Sequence, residues 1–555
     1  MVTATLAVAM VAGFGALAAE ALPEDFESDT VYSGLAFPTN VEFAPNGRVF
    51  VTEIDGIVKS APSVDGPLTV FADLRNVVHH FWDRGLLGIA VHPSFPTQPY
   101  VYVLYAYGTP LPVAGGPTRV WEDADQDGDG CSNPPGATDD GCVVSARLTR
   151  LTSNAAGTAW TGEVQHLIND WCQQFPSHSI GDVEFGADGM LYVSGGEGAD
   201  FNRIDYGQWG GSNGPITPKN PCGDPPGGAG ATLAPPGAEG GALRSQDLRT
   251  TGDPVGLSGT IIRVNPSTGA AAQDNGPGTG NIDRIIGFGL RNPFRFTFKP
   301  GSDDLYIGDV GSGTWEEVNL HANPTGAVRN YGWPCYEGGD GVSAPFGLYD
   351  NADLNICEDL YDDGAGAVSA SHFAYRHTED ISGDDECPPA VPGPSNATSS
   401  SITGLAFYTS GPFPNAYDGA LFGADYSRHC VWVMFPSGGN PDPSTVEVFH
   451  YQPSTGPGTP GISPVDLEMG PDGSMYFVSF LRGELGRFRY RPPQADIDAN
   501  PTSGDAPLLV DFDGSGSSDP DDETLAYAWD LDNDGQFDDG TGTTAQRTYS
   551  PGNHT

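Results

Sequence analysis

The stretch VEFAPNGRVFVTE, Val41 to Glu53, alternates apolar and polar residues, turns at Pro45-Asn46-Gly47, and alternates again. It returns as VEFGADGMLYVSG (Val183 to Gly195), FTFKPGSDDLYIGD (Phe296 to Asp309) and LEMGPDGSMYFVS (Leu467 to Ser479). A period of two, a tight turn and a second period of two is the pattern of a β-hairpin. LLGIAVHPSFPTQPYVYVLY, Leu86 to Tyr105, is a looser relative. Hairpins that return far apart in one chain mean a repeated β-unit. A ring of such sheets leaves only short, protected edges, so the expected fold is an all-β propeller.

Composition supports this. The chain has 555 residues, with 77 glycines and 49 prolines, and no long segment with a helical period. That length suits one large repeat domain and a small one. Net charge is −48, and Lys59, Lys219 and Lys299 are its only lysines. So acidic a surface repels phosphate backbones and anionic lipids, which excludes nucleic-acid and peripheral-membrane partners. The apolar run MVTATLAVAMVAGFGALAAEA reads as a signal peptide, residues 1–21, cut after Ala18 or Ala21. No other segment is long and apolar enough to span a bilayer. Export and eight cysteines, an even number without a CxxC pair, favour disulfides. Cys131–Cys142 is the first expected pair, with Cys335–Cys357 and Cys172–Cys222 behind it.

Three insertions interrupt the repeats: residues 108–142, 200–252 and 335–400. Long loops on a rigid scaffold usually build the functional face. Asp123, Asp125 and Asp127 form a D-x-D-x-D-G pattern, with Pro134 where an EF-hand has its bidentate glutamate. It is therefore either a loop calcium site or a solvated acidic loop. Glu316 and Glu317 are adjacent strand residues facing opposite sides, which favours a structural role over paired acid catalysis. Trp315 is expected between sheets. His178, in SHSIGD at a strand entrance, reads on pattern alone as a rim histidine bonded to a neighbouring loop.

Several segments in order resemble the PQQ-dependent glucose/sorbosone dehydrogenase family. They are RGLLGIAVHPSFPTQPYVYVLYA (from Arg84), HSIGDVEFGADGMLYV (from His178), GTIIRVNPSTG (from Gly259), GFGLRNPFRFTFKP (from Gly287), GDVGSGTWEEVN (from Gly308), NYGWP (from Asn330) and ITGLAFYTSGPFPNAYDGALFGADY (from Ile402). The resemblance covers residues 32–490. It implies a six-bladed propeller, expected here with four strands in each blade, that binds pyrroloquinoline quinone (PQQ) and calcium on one face and oxidises a sugar or polyol hydroxyl. It further implies His178 as the base, Arg291, Asn292 and Thr403 as cofactor contacts, and the carbonyls of Gly311 and Ser312 as calcium ligands. Members that oxidise glucose neutralise the three carboxylates of PQQ with a lysine and two arginines. Ser427, Ser463 and Val465 stand at those positions here. Each lost charge-assisted bond is worth roughly 1.5–3 kcal/mol. Arg428, beside Ser427, is the candidate substitute.

From Ala495 the chain resembles a polycystic-kidney-disease (PKD) domain, a β-sandwich, over residues 494–555. The matching pieces are NPTSG (from Asn500), LLVDFDGSGSSDPDD (from Leu508) and YAWDLD (from Tyr527). The family continues for two more strands, so an incomplete sandwich is expected, tethered through Pro492-Pro493. The acidic DLDNDG run from Asp530 reads there as turn structure. Two function classes follow. One is an exported quinoprotein; the other is a non-catalytic secreted or cell-surface propeller that binds glycan or protein, with the PKD domain as a further contact.

Overall fold

The computed structural model describes residues 5–10, 22–108, 141–201, 204, 206, 207, 220–223, 225–228, 230–252, 254–338, 344–382, 387, 388, 399–455, 458–519 and 524–554. Asp123, Asp125, Asp127 and Cys131 lie outside them, as does most of residues 1–21. The chain divides into two compact units, Asp29–Arg487 and Met1–Ser28 with Phe488–Thr555.

The larger unit is a six-bladed β-propeller. Blade 1 holds Pro38–Phe43, Val49–Glu53, Ile57–Ala61 and Thr69–Asp73. Blade 2 holds Leu86–Val91, Tyr100–Tyr107, Val144–Ser153 and Trp160–Gln173. Blade 3 holds Val183–Phe185, Leu191–Gly195, Thr260–Val264 and Ile285–Phe288. A fifth strand, Arg329–Asn330, adds in parallel, so this blade is not four-stranded as expected. Blade 4 holds Pro293–Phe298, Leu305–Asp309, Trp315–His321 and Phe373–Arg376. Blade 5 holds Ile402–Phe407, Leu421–Asp425, Cys430–Ser437 and Asn440–Tyr451. Blade 6 holds Pro464–Met469, Met475–Ser479 and Glu484–Tyr490, and takes its outer strand from Phe26–Ser33. That strand begins earlier than the expected boundary at Tyr32. The four quoted hairpins are the innermost strand pairs of blades 1, 3, 4 and 6, with Val41 opposite Val51 and Leu467 opposite Phe477. Trp171 and Trp432 fill space between sheets. Trp315 does not: it is partly exposed beneath the Arg376 guanidinium, 4.4 Å from its ring centroid.

Two devices shape the centre. First, the innermost strand of five blades carries a β-bulge just after its start, at Thr39, Leu87, Phe294, Thr403 and Val465. A bulge adds one unpaired residue and re-aims its side chain. Second, the buried guanidinium of Arg295 spans the axis. It donates to the carbonyls of Thr39 (2.5 Å), Leu87 (3.0 Å) and Gly181 (3.3 Å), and to Asp466 Oδ1 (3.1 Å). These partners come from blades 1, 2 and 6 and from the entrance to blade 3, while Arg295 belongs to blade 4.

Cys172–Cys222, Cys335–Cys357 and Cys387–Cys430 are disulfides. Cys142 is also disulfide-bonded. Such bonds persist in oxidising compartments. No helix of the described residues is long and apolar enough to cross a membrane.

In the smaller unit, Asp498–Asn500, Leu508–Asp513 and Thr544–Tyr549 form one sheet, and Thr5–Met10 pairs antiparallel with Leu525–Asp530. Val510, Phe512, Trp529, Leu531 and Tyr549 form its core. Buried Asp530 accepts from the backbone N–H groups of Asp534 (3.2 Å) and Gly535 (3.0 Å), which is turn structure.

On the innermost strands of propeller blades 1, 3 and 6, Glu42, Glu184 and Glu468 act on one another and on Asp182 and Asp466. Burial, and after it the charges of Asp182 and Asp466, push Glu42 up to about 8 from an ordinary 4.5. Glu184 and Glu468 are raised well above the usual carboxylate range by burial and by the neighbouring acids, Glu42, Asp182 and Asp466. Between pH 4.5 and 8 the folded chain therefore holds a proton that the unfolded chain has released, so stability falls as pH rises. Glu42→Gln should raise the melting temperature at pH 8 and leave it nearly unchanged at pH 4. Equal melting of mutant and wild type at pH 8 would contradict this repulsion.

Candidate functional site

The bulge residues meet at one mouth of the propeller. Thr39, Leu87, Phe294, Thr403 and Val465 all line a cavity of about 690 Å³. Arg295 holds the carbonyls of Thr39 and Leu87, so its guanidinium supports the floor. His178, Arg291, Asn292, Gly311, Ser312, His377 and Ser427 line the same cavity. The structure thus brings together His178, Arg291, Asn292, Thr403, Gly311 and Ser312.

His178 sits in the left-handed region, at φ 51°. Its carbonyl accepts from Gly198 N at 2.9 Å, and a Cβ on Gly196 would come within 2.2 Å of that oxygen. Only glycine at 196 lets the loop approach this closely. Glu197, next in that loop, accepts from His178 Nδ1 at 2.9 Å and from the indole N–H of Trp333. Burial and the Arg291 charge push the His178 pKa well below 6.5, against the opposing pull of Asp83. Burial raises Glu197 to about 7, opposed by Arg291, the Trp333 N–H and Arg244. With the carboxylate ionised, the imidazole is neutral, its proton lies on Nδ1, and Nε2 keeps a free lone pair. This is the arrangement of a general base held in one tautomer.

Arg291 is fixed on two sides. Its backbone N–H donates to Asp309, and its Nη1 donates to the carbonyls of Val310 (2.9 Å) and Gly311 (2.5 Å). Its guanidinium lies 5.4 Å from the Trp333 ring centroid. Its Nε is buried and has no hydrogen-bond partner among the described residues. Asn292 N donates to Asp309 Oδ1 at 2.6 Å. Burial pushes Asp309 up to about 7. Glu337 Oε1 accepts from Ser312 N (2.6 Å) and Gly313 N (3.1 Å), fixing the turn that presents the Gly311 and Ser312 carbonyls.

Other expectations need correction. Arg428 does not line the cavity. Its buried guanidinium donates to Ser400 Oγ (2.8 Å) and to the carbonyls of Glu379 (2.8 Å), Cys387 (3.2 Å) and Arg376 (2.5 Å). Ser463 is buried elsewhere, its hydroxyl accepting from Leu481 N at 2.8 Å. Ser427 and Val465 do face the cavity, so two of the three lost charges leave an uncharged wall.

Sequence reasoning missed Glu197, Trp333 and His377 as site residues. Trp333 lay inside a quoted motif without a role. Glu197 sits just past a strand end, where an acidic residue near a rim histidine was a usable signal. His377 carried none: its Nε2 lies 2.6 Å from Glu316 Oε1, while Glu316 Oε2 accepts from Ile402 N at 2.9 Å. Glu317 instead accepts from Gly338 N, so the adjacent glutamates have the separate structural partners expected of them.

Comparison with known proteins agrees with this architecture. The model of the glucose/sorbosone dehydrogenase family matches residues 35–228 and 241–355. HIPL2 protein of Arabidopsis thaliana is 24% identical over 405 residues, covering 70% of this chain and 49% of its own length. Quinoprotein glucose dehydrogenase B of Acinetobacter calcoaceticus is 24% identical over 322 residues, covering 58% of this chain and 55% of its own. The chain thus spans about half the length of these curated relatives. The PQQ-bound aldose sugar dehydrogenase of Streptomyces coelicolor is similar in fold, with a TM-score of 0.51 at 16% identity, over 84% of this chain and all of that one. With more than half of its residues matched by the family model, the chain belongs to the glucose/sorbosone dehydrogenase family.

Proposed function

We propose that the protein is an exported oxidoreductase that oxidises a hydroxyl-bearing carbon of a sugar or related polyol, using PQQ and calcium. The observation that carries this reading is the His178–Glu197 pair. It leaves a bare imidazole nitrogen at a cavity that also holds Arg291 and a hydroxyl-rich wall. The disulfides support export, and a PKD-type sandwich is the proposed identity of the C-terminal unit.

The residues fit the cofactor's polar edge. Arg291 has a buried, unsatisfied Nε, and such a group calls for an acceptor. Arg291, Asn292 and Thr403 would hold the quinone. The carbonyls of Gly311 and Ser312 would hold calcium, an ion that takes oxygen ligands. The Gly311 carbonyl already accepts from Arg291, but a carbonyl oxygen has two lone pairs. When bound, PQQ supplies the carbon that receives hydride, and calcium polarises that quinone. The chain's own residues do the rest. His178 Nε2 takes the hydroxyl proton. Glu197 stabilises the resulting imidazolium through Nδ1–H. Trp333 and Arg244 hold Glu197 in place, the indole at its carboxylate and Arg244 at its backbone carbonyl. Ser399, Ser401 and Ser427, linked by hydroxyl contacts of 3.1 Å, offer donors and acceptors to a polyol.

The uncharged wall favours a second reading, a binding propeller with a degenerate cofactor site. Titration with PQQ and calcium, followed by absorbance and then dye reduction with aldoses, separates the two. The oxidoreductase reading expects saturable binding, weaker than a fully charged site gives. Val465→Arg and Ser427→Lys should each tighten it about ten-fold or more. His178→Ala should lower turnover about 100-fold or more and change cofactor affinity little. No binding at high calcium, in wild type or in the charge-restored variants, would transfer the conclusion to the binding propeller.

A pH profile tests the base separately. Below about pH 7 Glu197 takes up a proton and can no longer hold the Nδ1–H tautomer, so kcat/KM should fall as pH drops through that value. In Glu197→Gln that acid limb should vanish, leaving a slower and flatter profile. An unchanged limb in the variant would assign the titration to another group.

A further inference from the structure

A second cleft, of about 1150 Å³, adjoins the His178 cavity, and Ile54 and Phe480 line both. Phe37, Asp55, Asp73, Arg75, Asn76 and His80 also line the second cleft. Together the two spaces exceed the ~300–1,000 Å³ that normally hold one small ligand. They are large enough for several linked units.

The chemistry of this cleft is specific. Phe37 is 52% exposed, with its ring 5.2 Å from that of Phe480. Trp82, on the rim of the His178 cavity, is 57% exposed and stacks on Phe81 at 5.9 Å. Both occupy the left-handed region, Phe37 at φ 51° and Trp82 at φ 55°. For a bulky residue that conformation is rare and costs stability, and such strain clusters at functional sites. Here it holds two large rings out in water rather than in a core. In the cleft with Phe37 lies a planar polar edge: Arg75 donates to both Asp73 oxygens, at 2.9 and 2.6 Å, with Asn76 exposed beside it. Flat apolar rings next to planar donors and acceptors match a pyranose. Its C–H face stacks on an aromatic ring, and its hydroxyl pairs bond to carboxylate, amide and guanidinium groups. Asp55 and Asp73, on a chain of net charge −48, disfavour acidic sugars.

We infer that this cleft is a subsite for further sugar units, so that the substrate is a neutral oligosaccharide whose terminal ring enters the His178 cavity. This rests on the sugar-oxidising reading above and names its substrate class. Phe37 is the stacking platform of the cleft and Trp82 that of the adjoining cavity rim; neither takes part in the proton transfer.

Calorimetric titration of the full chain with glucose, cellotetraose and maltotetraose, and with xylose and xylotetraose, tests this. At least one tetrasaccharide should bind about ten-fold or more tightly than its own monosaccharide. Phe37→Ala and Trp82→Ala should each remove most of that gain, and Phe37→Tyr and Trp82→Phe should restore it in a folded protein. No gain for any tetrasaccharide, or a gain that survives the double alanine variant, would overturn the subsite. Dye reduction is read separately. Tetrasaccharides that bind tightly but are not oxidised by the PQQ- and calcium-loaded protein would leave the subsite standing and overturn the oxidoreductase reading.

Discussion

The propeller and its site both depend on one buried guanidinium. Arg295 is 1% exposed and donates to Thr39, Leu87, Gly181 and Asp466, so five consecutive regions of the ring share one cation. A buried charge without partners is expensive, and breaking such a set costs about 3–5 kcal/mol. The inner strands therefore converge on Arg295 or the charge is stranded. Two of the carbonyls it binds belong to bulge residues, so the contact that centres the ring also sets the cavity floor. Repulsion among the buried acids Glu42, Glu184, Glu468, Asp182 and Asp466 works against it.

The fold was legible because a hairpin has a local code. Period-two alternation and an Asn-Gly or Asp-Gly turn lie within about thirteen residues at Val41–Glu53, and three further copies gave the repeat. Blade 5 escaped that pattern: between Phe407 and Leu421 a loop with the Asn415–Tyr417 turn replaces the tight turn. The strand Phe26–Ser33 was hidden for another reason. It completes blade 6 from the far end of the chain, and no local pattern encodes such a pairing.

The site was legible in part, and the difference is physical. His178, Arg291 and Asn292 stand in segments whose order and wording resemble a family, and geometry brings them to one mouth. Glu197 and His377 are different. A buried carboxylate acquires its role from what surrounds it in space, and Trp333 lies 136 positions from the Glu197 oxygen it meets. Arg428 shows the reverse error. Adjacency to Ser427 suggested that its charge could stand in for the missing lysine, but both lie in the turn between Leu421–Asp425 and Cys430–Ser437, where Asp425 accepts from Arg428 N at 2.9 Å and neighbours in sequence need not share a face. Its donors are committed to carbonyls behind the wall. The cavity is thus less basic than a tricarboxylate prefers and is lined by the hydroxyl-bearing Ser399, Ser401, Ser427 and Thr403.

Everything proposed for the cavity depends on a neutral His178 whose Nε2 is bare. Nitrogen-15 spectra of histidine-labelled protein at pH 8, with His178→Gln to assign the signal, measure this directly. The expected spectrum is that of a neutral His178 imidazole protonated at Nδ1, with the Nε2 shift of an unprotonated nitrogen. A proton on Nε2, or an imidazolium at that pH, would contradict it.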